Sequence, residues 1–149
     1  MLRLIPAPAY TTMADARAVI APVYTADGLF ADAAATLADY ARRTHGITLT
    51  EGKGGMTFTA DPSLPAEAYT LTVTEQGATV TASDVLGAQN AAMTLIQLME
   101  KDGEGLTLPV GVIEDAPKCT WRTVMIDLAR DWHELHVLYE YVEIGRAHV

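Results

Sequence analysis

The sequence predicts an α+β domain, a mainly antiparallel sheet with two helices on one face, followed by the opening of a second, parallel unit. Three observations carry that prediction. Between residues 47 and 82, four short segments alternate apolar residues with threonine or other polar residues, as strands with one wet face do. Two longer segments repeat apolar residues at helical spacing. Finally, residues 123–129 form an apolar run interrupted only by Asp127 and bracketed by Arg122 and Arg130. That is how a buried parallel strand with charged ends looks.

In chain order, residues 2–5 and 18–24 read as edge-type strands, which tolerate Pro6, Pro8 and Pro22. A helix over 29–44 follows, with Phe30, Ala33, Leu37, Tyr40 and Ala41 on one face, Asp27 to cap its start and His45-Gly46 to end it. Strands are expected at 47–50, 56–60, 68–74 and 78–82, the last two joined by a tight turn at Gln76-Gly77. The glycine-rich segment 52–55 lacks the spacing of a phosphate-binding loop and precedes a strand rather than a helix, so it reads as a flexible hairpin turn. Ser83 is placed to cap a second helix over 85–100, whose Val85, Ala88, Ala92, Leu95, Ile96 and Met99 form its apolar face. Residues 101–105 end that helix, 106–112 read as one further strand, and 134–143 as a short helix after the apolar run.

The chain has 149 residues, half of them hydrophobic, which is enough for a real core. Ten Lys and Arg against 19 Asp and Glu give a net charge of −9, which argues against a nucleic-acid partner. No apolar run approaches a membrane span, and residues 1–10 hold two prolines and no signal-like apolar core. As written, the sequence predicts a cytoplasmic location; a different start codon would leave export open. Its one cysteine, Cys119, permits no internal disulfide and has no paired base nearby in sequence.

A parallel strand needs long crossovers and several partners. Only 19 residues follow Arg130, so the chain reads as a small domain, 1–117, joined to the start of a larger one, 118–143. The last residues, Ile-Gly-Arg-Ala-His-Val at 144–149, match the translation of a common sequencing-library adapter and are expected to be foreign to the natural protein.

Three blocks then point to a family. Ile113, Asp115 and Pro117 lead into Trp121-Arg122, Ile126-Asp127 and Ala129-Arg130. Upstream, Gly87, Ala91 and Thr94-Leu95-Ile96-Gln97-Leu98 form a second block, and Leu4-Ile5-Pro6-Ala7-Pro8 a third. Together they resemble the N-terminal domain and the junction to the catalytic barrel of family 20 glycoside hydrolases, the β-N-acetylhexosaminidases. Thr123 stands where that family usually has glycine, and Asp131 where histidine commonly follows the second arginine.

The resemblance implies that 118–143 is the first β/α unit of an incomplete TIM barrel. It also implies substrate-assisted retaining catalysis: the 2-acetamido oxygen attacks the anomeric carbon, an aspartate orients that group, and a neighbouring glutamate protonates the leaving oxygen. No Asp-Glu dipeptide occurs in the sequence, so no catalytic residue is expected here and the chain alone is expected to be inactive. Barrel active sites lie at the C-terminal ends of strands, which singles out Arg130. The family implies that it grips sugar hydroxyls, and a guanidinium fork suits two adjacent ones. Arg122 and Asp127 are expected to form a buried structural pair at the junction.

His133-Glu134-Leu135-His136 spaces its histidines three apart rather than the four of helical zinc proteases. Even with Glu140 on the same face, no metal or other cofactor is expected. The partner implied is an N-acetylhexosamine-containing glycan. The competing reading is a non-catalytic carbohydrate-binding or protein-interaction module, which the scarcity of aromatics disfavours.

Overall fold

The computed structural model describes residues 4–103, 105–123, 125–130 and 132–147, and side chains only as far as 142. It divides into two units, Met1–Pro117 and Lys118–Val149.

Among the described residues of the first unit, the strands are β1 (Tyr10–Thr11), β2 (Arg17–Ile20), β3 (Val23–Ala26), β4 (Thr50–Glu51), β5 (Met56–Ala60), β6 (Tyr69–Thr74), β7 (Gly77–Ala82), β8 (Glu100–Asp102), β9 (Gly105–Pro109) and β10 (Gly111–Asp115). A seven-stranded sheet runs β1-β10-β6-β7-β5-β3-β4, and a three-stranded sheet runs β2-β9-β8. Helix α1 (Ala31–Tyr40) is preceded by a 3-10 turn and continued by a π turn over Ala41–His45; α2 is Val85–Leu98.

Threonine alternation sorts the large sheet's faces. Met56 and Phe58, Leu71 and Val73, and Ala78 and Val80 are buried, while the threonines between them face outward. Both helices pack on the buried face, as expected, through Ala33 and Leu37 of the first, with Phe30 just before it, and Ala88, Ala92 and Leu95 of the second. Ala18, Ile20, Leu106 and Leu108 of the small sheet join the same core.

The sheet itself corrects the sequence reading. Only half of its pairings are antiparallel: β3 runs parallel to both β4 and β5, and β5 parallel to β7. Alternation reports which side chains face the core, but a parallel and an antiparallel neighbour demand the same alternation. The tight turn between β6 and β7 is present but lies one residue earlier than expected, at Glu75-Gln76, with Gly77 already paired opposite Thr74 in β7.

Two segments that read as single strands are each split between the sheets. Residues 18–24 break at Ala21-Pro22, where proline brings no N–H, and 106–112 break at Val110. Of 47–50 only Thr50 is in a strand, because Ile47 N donates to Ala41 O (3.2 Å) in closing the helix, with Gly46 in the left-handed region at φ 63°. Leu4 and Ile5 are not in a strand, and residues 2 and 3 lie outside the described residues.

Nor is 52–55 a hairpin. It carries the chain from β4, on one side of β3, to β5 on the other. Gly55 is buried there, and a Cβ on it would clash with the Val23 and Ala21 carbonyl oxygens, so glycine is required by close approach.

The cap of α2 is Asp84 rather than Ser83. Its carboxylate accepts from Gly87 N (2.9 Å) and Glu67 N (2.8 Å), while Ser83 Oγ donates to it (3.2 Å). Burial pushes this carboxyl up, but those donors together hold it below the usual carboxylate value.

In the second unit the expected strand is missing. The described residues of 123–129 form no strand, and a helix, α3 (Leu135–Ala147), follows. Val124 lies outside the described residues. A lone extended segment leaves its backbone groups unpaired, so a parallel strand cannot form without neighbours.

Candidate functional site

The junction begins in an ordered way. Ile113 is buried in β10, and Asp115 Oδ1 accepts from Ala9 N at 3.0 Å. Glu114 and Asp115, an acidic pair in the reverse order of an Asp-Glu dipeptide, thus end strand β10 beside β1, with Glu114 opposite Tyr10.

Beyond Pro117, the residues singled out from sequence are exposed. Arg130 Nε lies 3.3 Å from Asp127 Oδ2, and the arginine side chain is 90% exposed. Asp127 Oδ1 also accepts from Ala129 N (3.0 Å), a local turn-forming bond. Arg122 donates to the Cys119 carbonyl oxygen. The buried pair expected of Arg122 and Asp127 is thus not present: Asp127 pairs with Arg130 instead. Without sheet neighbours there is no interior to bury a charge in, and the nearest cation along the chain takes the acid.

His136 Nδ1 lies 3.2 Å from Glu134 Oε2 at the start of α3. Asp131 lies outside the described residues.

A second feature was not legible in the sequence. A cleft of about 630 Å³ opens between α1 and the edge strand β4, lined by Tyr24, Ala31, Asp32, Ala35, Glu51 and Lys53 among others. Ala31 and Ala35 lie one turn apart on the helix, and their small side chains leave the space open. No periodicity foretells this, because it depends on β4 lying beside β3.

Residues 1–116 match the family model for glycosyl hydrolase family 20, domain 2. The chain belongs to this family. Among curated proteins, a β-hexosaminidase of Vibrio furnissii is 37% identical over 84 residues, 56% of this chain and 14% of that protein. A β-N-acetylhexosaminidase of Cellulomonas fimi is 41% identical over 70 residues, 45% of this chain and 14% of that protein. Among solved structures, the family 20 exo-β-N-acetylglucosaminidase of Vibrio harveyi, in complex with N-acetylglucosamine, superposes with a TM-score of 0.87 at 26% identity. It covers 95% of this chain and 23% of that one. The family 20 β-N-acetylhexosaminidase of Streptomyces coelicolor gives 0.81 at 27% identity, over 99% of this chain and 33% of that one. The matched region is thus a small share of each of these family 20 relatives.

Proposed function

We propose that the chain is the N-terminal part of a longer β-N-acetylhexosaminidase that removes terminal N-acetylhexosamine residues from glycans by substrate-assisted retaining catalysis. The match of residues 1–116 to a domain of glycosyl hydrolase family 20 carries this reading. In the longer parent, 118–143 supplies the first strand and helix of the barrel, and 144–149 is foreign sequence.

Arg130 then stands at the C-terminal end of the first barrel strand, where it donates to two sugar hydroxyls. Its present partner, Asp127, holds it only through an exposed pair, which costs little to exchange for a substrate. Arg122 and Asp127 become a buried pair once neighbouring strands surround them. The general acid and the acetamido-orienting aspartate belong to later strands, so the chain by itself has no hydrolase activity.

The test is to assay the chain and the completed reading frame on a chromogenic N-acetylglucosaminide. Turnover by the completed frame and none by the chain is expected; a silent, folded completed frame would refute the reading. Within the completed frame, Arg130→Ala should lower kcat/KM by roughly 100-fold, the loss of about 3 kcal/mol of charged hydrogen bonding. Arg122→Ala should mainly lower its Tm.

A further inference from the structure

The cleft between α1 and β4 gathers four polar side chains: Tyr24, Asp32, Glu51 and Lys53. Among the described residues, none of the four makes a side-chain hydrogen bond or ion pair. Some carboxylates of the first unit are engaged instead, Asp39 by Arg42 and Arg43, Asp61 by Ser63, and Asp84 by its helix. The cleft therefore concentrates uncommitted donors and acceptors over a floor formed in part by alanine methyls.

The backbone adds to them. Thr50 N donates to Pro22 O (3.1 Å) and Gly52 N to Tyr24 O (2.9 Å), so these residues turn their amides toward β3. Glu51, between them, turns its N–H and C=O to the open side of the edge strand.

The donor set selects among ligand classes. Two carboxylates against one ammonium disfavour an anion, and the ammonium disfavours a cation. A two-residue edge is too short to pair a peptide strand. What remains is a neutral ligand rich in both donors and acceptors, with one apolar face and a size that fits a few hundred cubic ångströms. A pyranose has those properties: its hydroxyls donate to Asp32 and Glu51 and accept from Lys53, and its C–H face lies on the alanines and the Tyr24 ring. An acetamido group is itself a peptide unit and matches the outward N–H and C=O of Glu51.

We propose that this cleft binds one N-acetylhexosamine unit of an oligosaccharide. The inference rests on the reading of the parent protein as one that acts on such glycans.

The test is an NMR titration of the ¹⁵N-labelled 149-residue chain with tri-N-acetylchitotriose. Amide shifts should map to residues 24–26, 31–35 and 50–53, with a Kd of about 1 mM, as few contacts in an open cleft allow. Ala35→Trp, which fills the cleft from an exposed helix position, should weaken binding about tenfold or more while leaving amide dispersion elsewhere unchanged. Cellotriose, which lacks the acetamido groups, should bind more weakly. No saturable shift, shifts that map elsewhere, or shifts unaltered by Ala35→Trp would overturn the proposal. An active completed frame whose cleft binds no saccharide overturns this inference alone. Binding in the cleft with an inactive completed frame sinks the hydrolase reading and leaves this one standing.

Discussion

Phe58 and Met125 lie in segments of similar apolar character, yet one is 1% exposed and the other 93%. Phe58 belongs to a strand with a neighbour on each side, paired with β3 and β7. Met125 lies in a run of equally strand-like residues that pairs with nothing among the described residues of the second unit. Strand propensity and apolar pattern are thus insufficient by themselves. A β-strand is a property of a set of segments, and its buried state is bestowed by its neighbours.

The sharpest way to break this comparison is to truncate both side chains. Phe58→Ala should lower the unfolding free energy of the chain by roughly 3–5 kcal/mol, through lost burial and the cavity left behind. Met125→Ala should change it by less than about 0.5 kcal/mol. In a completed barrel, where a parallel strand is covered on both faces, the same Met125→Ala should cost roughly 2–4 kcal/mol. Urea unfolding of the two variants, in the chain and in the completed frame, measures all of these.

Next in size is Gly55→Ala. The added methyl meets the Val23 backbone, which has no room to yield in a paired strand, so a loss of about 3 kcal/mol is expected by the same denaturant titration. A loss below about 1 kcal/mol would show that the crossing is looser than the geometry describes.

These two sites also mark what sequence could and could not convey. The two helices, their burial against one face and the threonine-lined outer face were legible, because side-chain periodicity encodes them directly. Strand order was not. The parallel half of the large sheet, the handover of 18–24 and 106–112 between two sheets, and the passage of 52–55 across β3 all depend on contacts distant in sequence. The family blocks made Arg130 legible as a candidate; its exposed pairing with Asp127 was not, since the sequence reading put Asp127 inside a buried strand, paired with Arg122, and Arg130 at the strand's end. The cleft was illegible for the same reason as the strand order.

A smaller effect is expected at the α2 cap. Asp84→Ala should cost about 1 kcal/mol. The sign with pH follows from the lowered carboxyl: its stabilisation is fully present above the ordinary carboxyl value of 3.8 and is lost as pH falls through the lower folded-state value. Chemical denaturation of wild type and Asp84→Asn should therefore converge as pH falls below about 4. A gap that widens there would contradict the arrangement of donors around Asp84.

The smallest change is expected in the second unit. Asp127→Ala removes an exposed pair to Arg130 and should shift the chain's stability by less than about 0.5 kcal/mol. A larger loss would mean that the unit has a buried charge network after all.

The proposed function implies that residues 123 and 125–129 become a strand only beside neighbours that a longer family 20 protein would supply. Native-state hydrogen exchange measures this directly. In the 149-residue chain, amides of β5 and β7 should be protected to nearly the global unfolding free energy, and those of 122–123 and 125–130 should exchange almost freely. In the completed frame the second group should rise to the level of the first. Strong protection of these amides in the chain alone, or their continued free exchange in a folded completed protein, would contradict the account.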